Sequence, residues 1–463
     1  MPKGNLFILN PMKNRFFLSF FIGLVLAFAA CKEESKNENP DPPTVDNVLP
    51  NNQVIYEVNV RNFSSQGNFA GLEREIPRLK ELGIDILWLM PIHPIGEKNR
   101  IGSKGSPYSV KDYLAINPDY GTTNDLKSLI SKAHEAKMEI WLDWVANHTA
   151  WDHPWVQTNL DFYASRNGQQ PYSPNGWNDV IQLDFSNQNL WTTMIEAMKY
   201  WVQEFDIDGF RCDYVTGVPI DFWQKARTEI ETIKKITWMA EGDNPNYMSV
   251  FDFDYAWAFN TSLNEFGKDN NVTKLKTACT TLFNNPNYKE KGRMVYLTNH
   301  DLNAYDGTVF TRFGNNLLPL MVLYFTIYDM PLIYNGQEVG ANKSMSLFDV
   351  TPVPWTPVNT TIQNLFKKLT QLKRSQPALE NGKNRGTLVF YNTTNDQVFA
   401  YSRKRGTNDI VVLLNFSTAP GSFKFSGTYP TGQFTNHLEG GKQSFNTSNY
   451  IQLPANGYAV YIK

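Results

Sequence analysis

Four polar segments, each just after a short apolar run, constrain this chain more than anything else in it. They are Asp143-Trp-Val-Ala-Asn147-His148, Gly209-Phe-Arg211-Cys-Asp213, Ala240-Glu241-Gly242 and Asn299-His300-Asp301. The runs before them, 138–142, 205–207, 236–239 and 294–297, have the length and composition of short buried strands. Polar residues at the C-terminal ends of several strands, far apart in sequence, are how a (β/α)8 barrel assembles an active site. Three acids in these segments, Asp213, Glu241 and Asp301, suit chemistry at a glycosidic bond, which needs a nucleophile or base and an acid.

The rest of the chain has the rhythm such a barrel requires. Residues 54–60 read as a strand and 72–82 as an amphipathic helix stopped by Gly83; 84–89 read as a strand closed by Pro91. Helical spacing over 123–136 leads into a strand at 139–145, and over 190–205 into a strand at 207–213. The sixth strand is expected within 251–257 and the last at 330–335. Strands alternating with helices imply a parallel sheet with helices outside. The barrel is therefore expected over 51–380. Within it, 149–189 is too long for an ordinary connection, carries little periodicity, and reads as an excursion that shapes the cleft. From 381 to 463 the pattern changes to period two, in runs at 387–391, 398–403, 410–415, 421–425 and 457–462, which predicts an antiparallel β-sandwich.

The N-terminus reads as a targeting segment. Lys3, Lys13 and Arg15 precede the apolar stretch 16–30, which ends in small residues before Cys31. Phe28-Ala-Ala-Cys31 resembles a bacterial lipobox, and Lys32-Glu33-Glu34 resembles the tag that sends lipoproteins to the outer cell surface. Residues 1–31 are thus expected to be a lipoprotein signal with Cys31 lipidated, and 32–50, polar and Pro-rich, a flexible tether. That implies an outer-membrane, cell-surface protein touching the membrane through its lipid anchor only. An ordinary cleaved signal, giving a periplasmic or secreted protein, and an uncleaved anchor are the alternatives. Of the other cysteines, Cys279 carries no motif and Cys212 reads as a small buried side chain. With Lys+Arg 43 against Asp+Glu 45 and no basic stripe, nucleic acid is not an expected partner. Oligomeric state is left open.

Three further segments extend the pattern. They are Gly83-Ile-Asp-Ile-Leu-Trp-Leu-Met-Pro-Ile92, Tyr108-Ser-Val-Lys-Asp112-Tyr-Leu-Ala-Ile-Asn117-Pro-Asp-Tyr-Gly121 and Pro331-Leu-Ile-Tyr-Asn-Gly336-Gln-Glu338. In order and spacing, all seven resemble the α-amylase superfamily of glycoside hydrolases. The resemblance implies a TIM barrel with an excursion after strand three and a C-terminal β-sandwich. It also implies Asp213 as nucleophile, Glu241 as general acid/base and Asp301 as the third carboxylate, with Tyr108, His148, Arg211 and His300 holding substrate. The implied substrate is an α-1,4-linked glucan or maltooligosaccharide. Exo-acting α-glucosidases, cyclodextrin-cleaving enzymes and transglycosylases share the scaffold, and a glycan-binding protein without catalysis is the alternative from another class. The residues themselves support the first view, since all three acids are present. Arg211 and Asp213 fall on one side of a strand, where the guanidinium favours ionised Asp213. Glu241 has no basic neighbour in sequence, so burial is expected to raise its pKa. Asp143 is expected to support the site from behind.

Two departures limit the transfer. Starch-cleaving members carry Lys-His where this chain has Thr216 and Gly217. The family's structural calcium uses an Asn, here Asn147, and an acid in the excursion, where this chain has Gln182. No cofactor is expected to be required, and Gln182 does not support a calcium.

Overall fold

The computed structural model describes residues 51–463. The signal segment, Cys31 and the tether lie outside the described residues. The first ten strands, in chain order, are β1 (Ile55–Val58), β2 (Ile86–Leu89), β3 (Glu139–Trp144), β4 (His148–Ala150), β5 (Val180–Gln182), β6 (Gly209–Cys212), β7 (Thr237–Ala240), β8 (Phe253–Tyr255), β9 (Gly292–Val295) and β10 (Met330–Tyr334). Eight of them close into a parallel barrel in the order β1-β2-β3-β6-β7-β8-β9-β10. The expected sixth strand is β8, and the expected last barrel strand is β10.

Alternation along each strand sorts side chains into two cores. Ile55, Ile86, Trp88, Trp141, Met239, Tyr255, Met294 and Leu332 fill the barrel interior. Tyr56, Leu87, Leu142, Phe210, Trp238 and Ile333 point outward against the helices. The same parity carries Glu57, Asp143, Arg211 and Glu241 to the inside, two residues beyond Ile55, Trp141, Gly209 and Met239. Gly209 is needed where it stands, because a Cβ there would come within 2.6 Å of the Trp141 indole.

The excursion leaves after β3. Its base is an antiparallel ribbon in which His148 pairs with Gln182 and Ala150 with Val180. The expected helix over 72–82 is two pieces, Phe69–Glu73 and Ile76–Leu82. Pro77, in the first turn of the second, has no N–H to bond back to residue 73, so one helix ends and another begins.

The C-terminal strands are β11 (Thr387–Thr393), β12 (Val398–Arg405), β13 (Asn408–Asn415), β14 (Gly421–Phe423), β15 (Phe425–Ser426), β16 (Gln433–Asn436), β17 (Lys442–Ser444), β18 (Ile451–Leu453) and β19 (Tyr458–Ile462). Seven form one sheet, in the order β15-β11-β12-β13-β19-β16-β17, and β14 pairs with β18. The expected single strand at 421–425 is two, because the chain changes sheets at Lys424, whose backbone is held by Thr394. One face of the large sheet meets this pair through Val411, Leu413, Phe423 and Leu453. The other face joins Phe399, Val412 and Leu414 to the core around the barrel. Cys212 and Cys279 are both buried and unbridged. Among the described residues, no helix is long and apolar enough to cross a membrane.

Candidate active site

Arg211 organises the C-terminal mouth of the barrel. Its side chain is fully buried. Nη1 donates to Asp143 Oδ1 at 2.7 Å and to Asp213 Oδ1 at 2.9 Å, while Nε donates to the Tyr255 hydroxyl at 3.1 Å. Nη2 stands 2.9 Å from Glu241 Oε2, an ion pair by distance without an aligned hydrogen bond. One guanidinium therefore serves three carboxylates. Burial raises all three, most for Glu241, pushed up to about 7, with Asp143 and Asp213 at about 6; Arg211 pulls each back. Arg211 thus bridges Asp213 and Glu241, bonding the first through Nη1 and facing the second through Nη2. The expectation that Glu241 lacks a basic neighbour holds in sequence but not in space. Arg211 reaches it across the β6–β7 pair, in which Arg211 aligns with Met239.

The backbone fixes these acids. Asp213 N donates to Trp144 O and Glu241 N to Cys212 O, both at 2.9 Å, extending the barrel ladder one residue past each strand. Tyr214, in a left-handed conformation at φ 41°, turns its N–H onto Glu241 Oε2 at 2.7 Å.

A second chain of contacts runs through His300. Nδ1 bonds Glu57 of β1, Nε2 bonds the Tyr108 hydroxyl at 2.9 Å, and Nε2 lies 3.3 Å from Asp301 Oδ2. Burial works against the imidazolium, but Asp301 and Glu57 more than offset it and hold the ring charged, at about 9. With both nitrogens donating, the Tyr108 hydroxyl accepts from His300 and donates its own O–H to Asp143 Oδ2 at 2.9 Å. Tyr108 also stacks on His300, with ring centroids 5.1 Å apart. His148 is the opposite case: burial lowers it to about 4 despite Asp179, so it is neutral.

A cavity of about 300 Å³ opens over these groups. Asp213, Glu241, His300 and Asp301 face it, as do Tyr108 and His148. The structure thus brings six of the seven expected site residues to one cavity wall and sets the seventh, Arg211, directly behind them. Sequence reasoning missed Glu57, Tyr214 and Asp179, and the rim formed by Trp177, Tyr305 and Phe348. Tyr305 rides on a π-helical turn, Leu302–Asp306, directly after Asp301. Glu57 did leave a signal: it is the lone acid in the apolar run 54–60, and it shares parity with inward-facing Ile55. Four carboxyls, a charged imidazole and aromatic walls equip this cavity to bind a polyhydroxylated ring and transfer protons to and from it.

Residues 51–395 match the family model described as the α-amylase catalytic domain. Alpha-amylase 2 of Dictyoglomus thermophilum is 26% identical over 414 residues, covering 81% of this chain and 68% of that protein. The α-1,4-glucan:maltose-1-phosphate maltosyltransferase of Rhodospirillum rubrum is 26% identical over 417 residues, covering 79% of this chain and 57% of that protein. The crystal structure of a noncanonic maltogenic α-amylase from Thermotoga neapolitana superposes with a TM-score of 0.80 at 28% identity. That superposition covers 89% of this chain and 99% of the other.

Proposed function

From the premise that this chain belongs to the α-amylase catalytic-domain family and is a glycoside hydrolase, we propose that it cleaves α-1,4-glucosidic bonds with retention of configuration. Its substrates are starch-like glucans or maltooligosaccharides. One observation carries this reading: Asp213 and Glu241 are gathered on a single guanidinium, with Arg211 Nη1 donating to Asp213 at 2.9 Å and Nη2 standing 2.9 Å from Glu241. A retaining pair stands closer together than an inverting one, which must leave room for a water, and a shared guanidinium favours the close arrangement. Asp213 Oδ attacks the anomeric carbon as the protonated carboxyl of Glu241 gives its proton to the departing glycosidic oxygen. Glu241, now a carboxylate, takes a proton from water, which attacks the glycosyl ester and releases Asp213. Arg211 keeps Asp213 the more easily ionised of the two. Asp301, His300 and His148 accept and donate hydrogen bonds to the sugar hydroxyls, and Tyr108 supplies an apolar wall.

A second reading, transfer of the glycosyl group to a sugar in place of water, is favoured by the aromatic rim of Trp177, Tyr305 and Phe348, which suits an acceptor ring. The maltosyltransferase relative points the same way. Both readings share the covalent intermediate. Incubation with starch, maltoheptaose, cyclodextrin and pullulan separates them: hydrolysis gives only shorter products, whereas transfer also gives longer ones. No product from any of the four substrates would sink both. We further propose a surface lipoprotein anchored at Cys31, supported by the lipobox-like sequence. Two or more acyl chains bind a membrane stably. Fatty-acid labelling that survives Cys31→Ser would rule the anchor out.

A further inference from the structure

At the seam between barrel and excursion, three oxygens converge on a single point. They are Asn147 O, Asn147 Oδ1 and Leu183 O, and the Gln182 amide nitrogen sits among them at 3.0, 3.0 and 3.1 Å. The amide's orientation is not arbitrary. Gln182 Oε1 accepts from Asn147 Nδ2 at 3.3 Å, and exchanging its oxygen and nitrogen would set an oxygen against the other three. An inward-facing ring of oxygens is what a hard cation gathers, but the distances are those of hydrogen bonds. Calcium requires six to eight oxygens at about 2.3–2.6 Å, several of them carboxylate.

The neighbouring acids do not supply them. Asp184 Oδ1 accepts from Ser186 N at 2.9 Å, and Asp179 lines the active cavity. Among the described residues, no group of three or more His, Cys, Asp or Glu side chains is placed to hold a metal. The donor set therefore does not fit the ion that the fold family implies. Gly217 closes the same point from the barrel side, where a Cβ would come within 2.4 Å of Asn147 Oδ1.

We propose that the Gln182 amide takes the place of a cation, cross-linking excursion to barrel with a neutral group built into the chain. The link reaches the active site, because Asn147 Nδ2 lies 3.2 Å from His148 Nδ1 and orients the imidazole that faces the cavity. A covalently attached donor cannot dissociate, so the seam is indifferent to chelators. A bound ion would instead add stability by mass action.

The test uses melting temperature, measured with EDTA and with millimolar calcium chloride, on the full mature chain. The natural protein is expected to melt at the same temperature in both. Gln182→Glu sets a carboxylate against three oxygens, so it should melt lower in EDTA and recover in calcium. Gln182→Met, which removes the donor without adding charge, should melt lower in both and recover in neither. A calcium-reversible drop in the natural protein would overturn the proposal, since a resident ion would then be present. Failure of calcium to restore Gln182→Glu would overturn it equally, since the oxygens would not then have the shape of a cation site.

Discussion

Two buried charge clusters sit at opposite ends of the same barrel, and their imbalances are mirror images. At the C-terminal end, Glu57, Asp143, Asp213, Glu241 and Asp301 surround two cations, Arg211 and His300. At the N-terminal end, Asp329, just before β10, takes a two-pronged contact from Arg385 at 3.0 and 2.8 Å. Lys373 and Arg403 lie close enough to feel it. Burial pushes every group toward its neutral form, and neighbours of opposite sign pull it back. Above, Asp143 and Asp213 are raised to about 6 and Glu241 to about 7; below, burial lowers Lys373 to about 7 and Arg403 to about 10, with Asp329 opposing, and raises Asp329 itself. The surroundings differ in kind. The lower cluster is sealed: Lys373 donates to Leu379 O and Asn381 Oδ1, and Arg403 to Gly386 O and Thr326 O, tying barrel to C-terminal sheet. The upper one opens onto a cavity. Protonation that is hard to satisfy internally is left available to a substrate there, whereas below it is consumed by packing.

If that division is right, the same kind of substitution has opposite consequences at the two ends. Asp213→Asn removes the nucleophile at nearly equal volume, and hydrolysis of maltoheptaose should fall by about 10⁴-fold or more. Melting temperature should hold or rise, because one surplus buried anion is gone while Arg211 keeps Asp143 and Glu241. Residual activity within tenfold of the natural protein, without deamidation, would remove Asp213 from its role. Glu241→Gln should cost about 10²–10⁴-fold on oligosaccharides. On an α-glucosyl fluoride, whose leaving group needs no proton, the loss should be much smaller, and equal losses on both substrates would mean that Glu241 is not the acid.

Asp329→Asn inverts the pattern. It strips Arg385 of its two-pronged partner and leaves Lys373 only Glu380, and removing one partner from a buried pair costs about 3–5 kcal/mol. Urea unfolding should show that loss while kcat, measured where the variant is still folded, is unchanged. A fall in kcat with stability intact would abolish the contrast between the two ends.

What could be read from the sequence follows the same division. The barrel was legible because its strands are short apolar runs, and the acids because each lies within six residues of the end of such a run. Lateral partners were not. That Arg211 reaches Glu241 and His300 reaches Glu57 depends on which strands are neighbours across a closed sheet, and β1 and β9 are not even adjacent. The rim residues Trp177, Tyr305 and Phe348 come from irregular segments with no period to read. Strands β16 to β18 are short and half polar, so no alternation announces them. The break before Pro77 was visible in principle, since proline cannot extend a helix already under way.

The smallest effect gives the finest test, because it asks whether the imbalances themselves act on the fold. Glu241 has a folded pKa raised to about 7, so its contribution is fully present below the unfolded carboxylate value and is lost as pH rises toward and through 7. Lys373 has a folded pKa lowered to about 7 from an ordinary 10.5. Its contribution is fully present above 10.5 and is lost as pH falls toward 7, because the folded chain there resists the proton that the unfolded chain accepts. The two ends therefore tilt stability in opposite directions on either side of neutrality. His300, held charged to about 9, adds a fall of its own above pH 6.5, so the raw curve mixes all three. A difference curve isolates the lower cluster. Lys373→Met keeps the length of the side chain and deletes only its titration in the presence of Asp329, Glu380, Arg385 and Arg403, the charges that face it. Between pH 7 and 10, the natural protein should gain stability over this variant by up to about 1.4 kcal/mol per pH unit. Urea midpoints measured at unit intervals would resolve that slope. A flat difference would mean that Lys373 stays protonated in the fold, and that the excess of cations below is balanced by its hydrogen bonds and not by loss of charge.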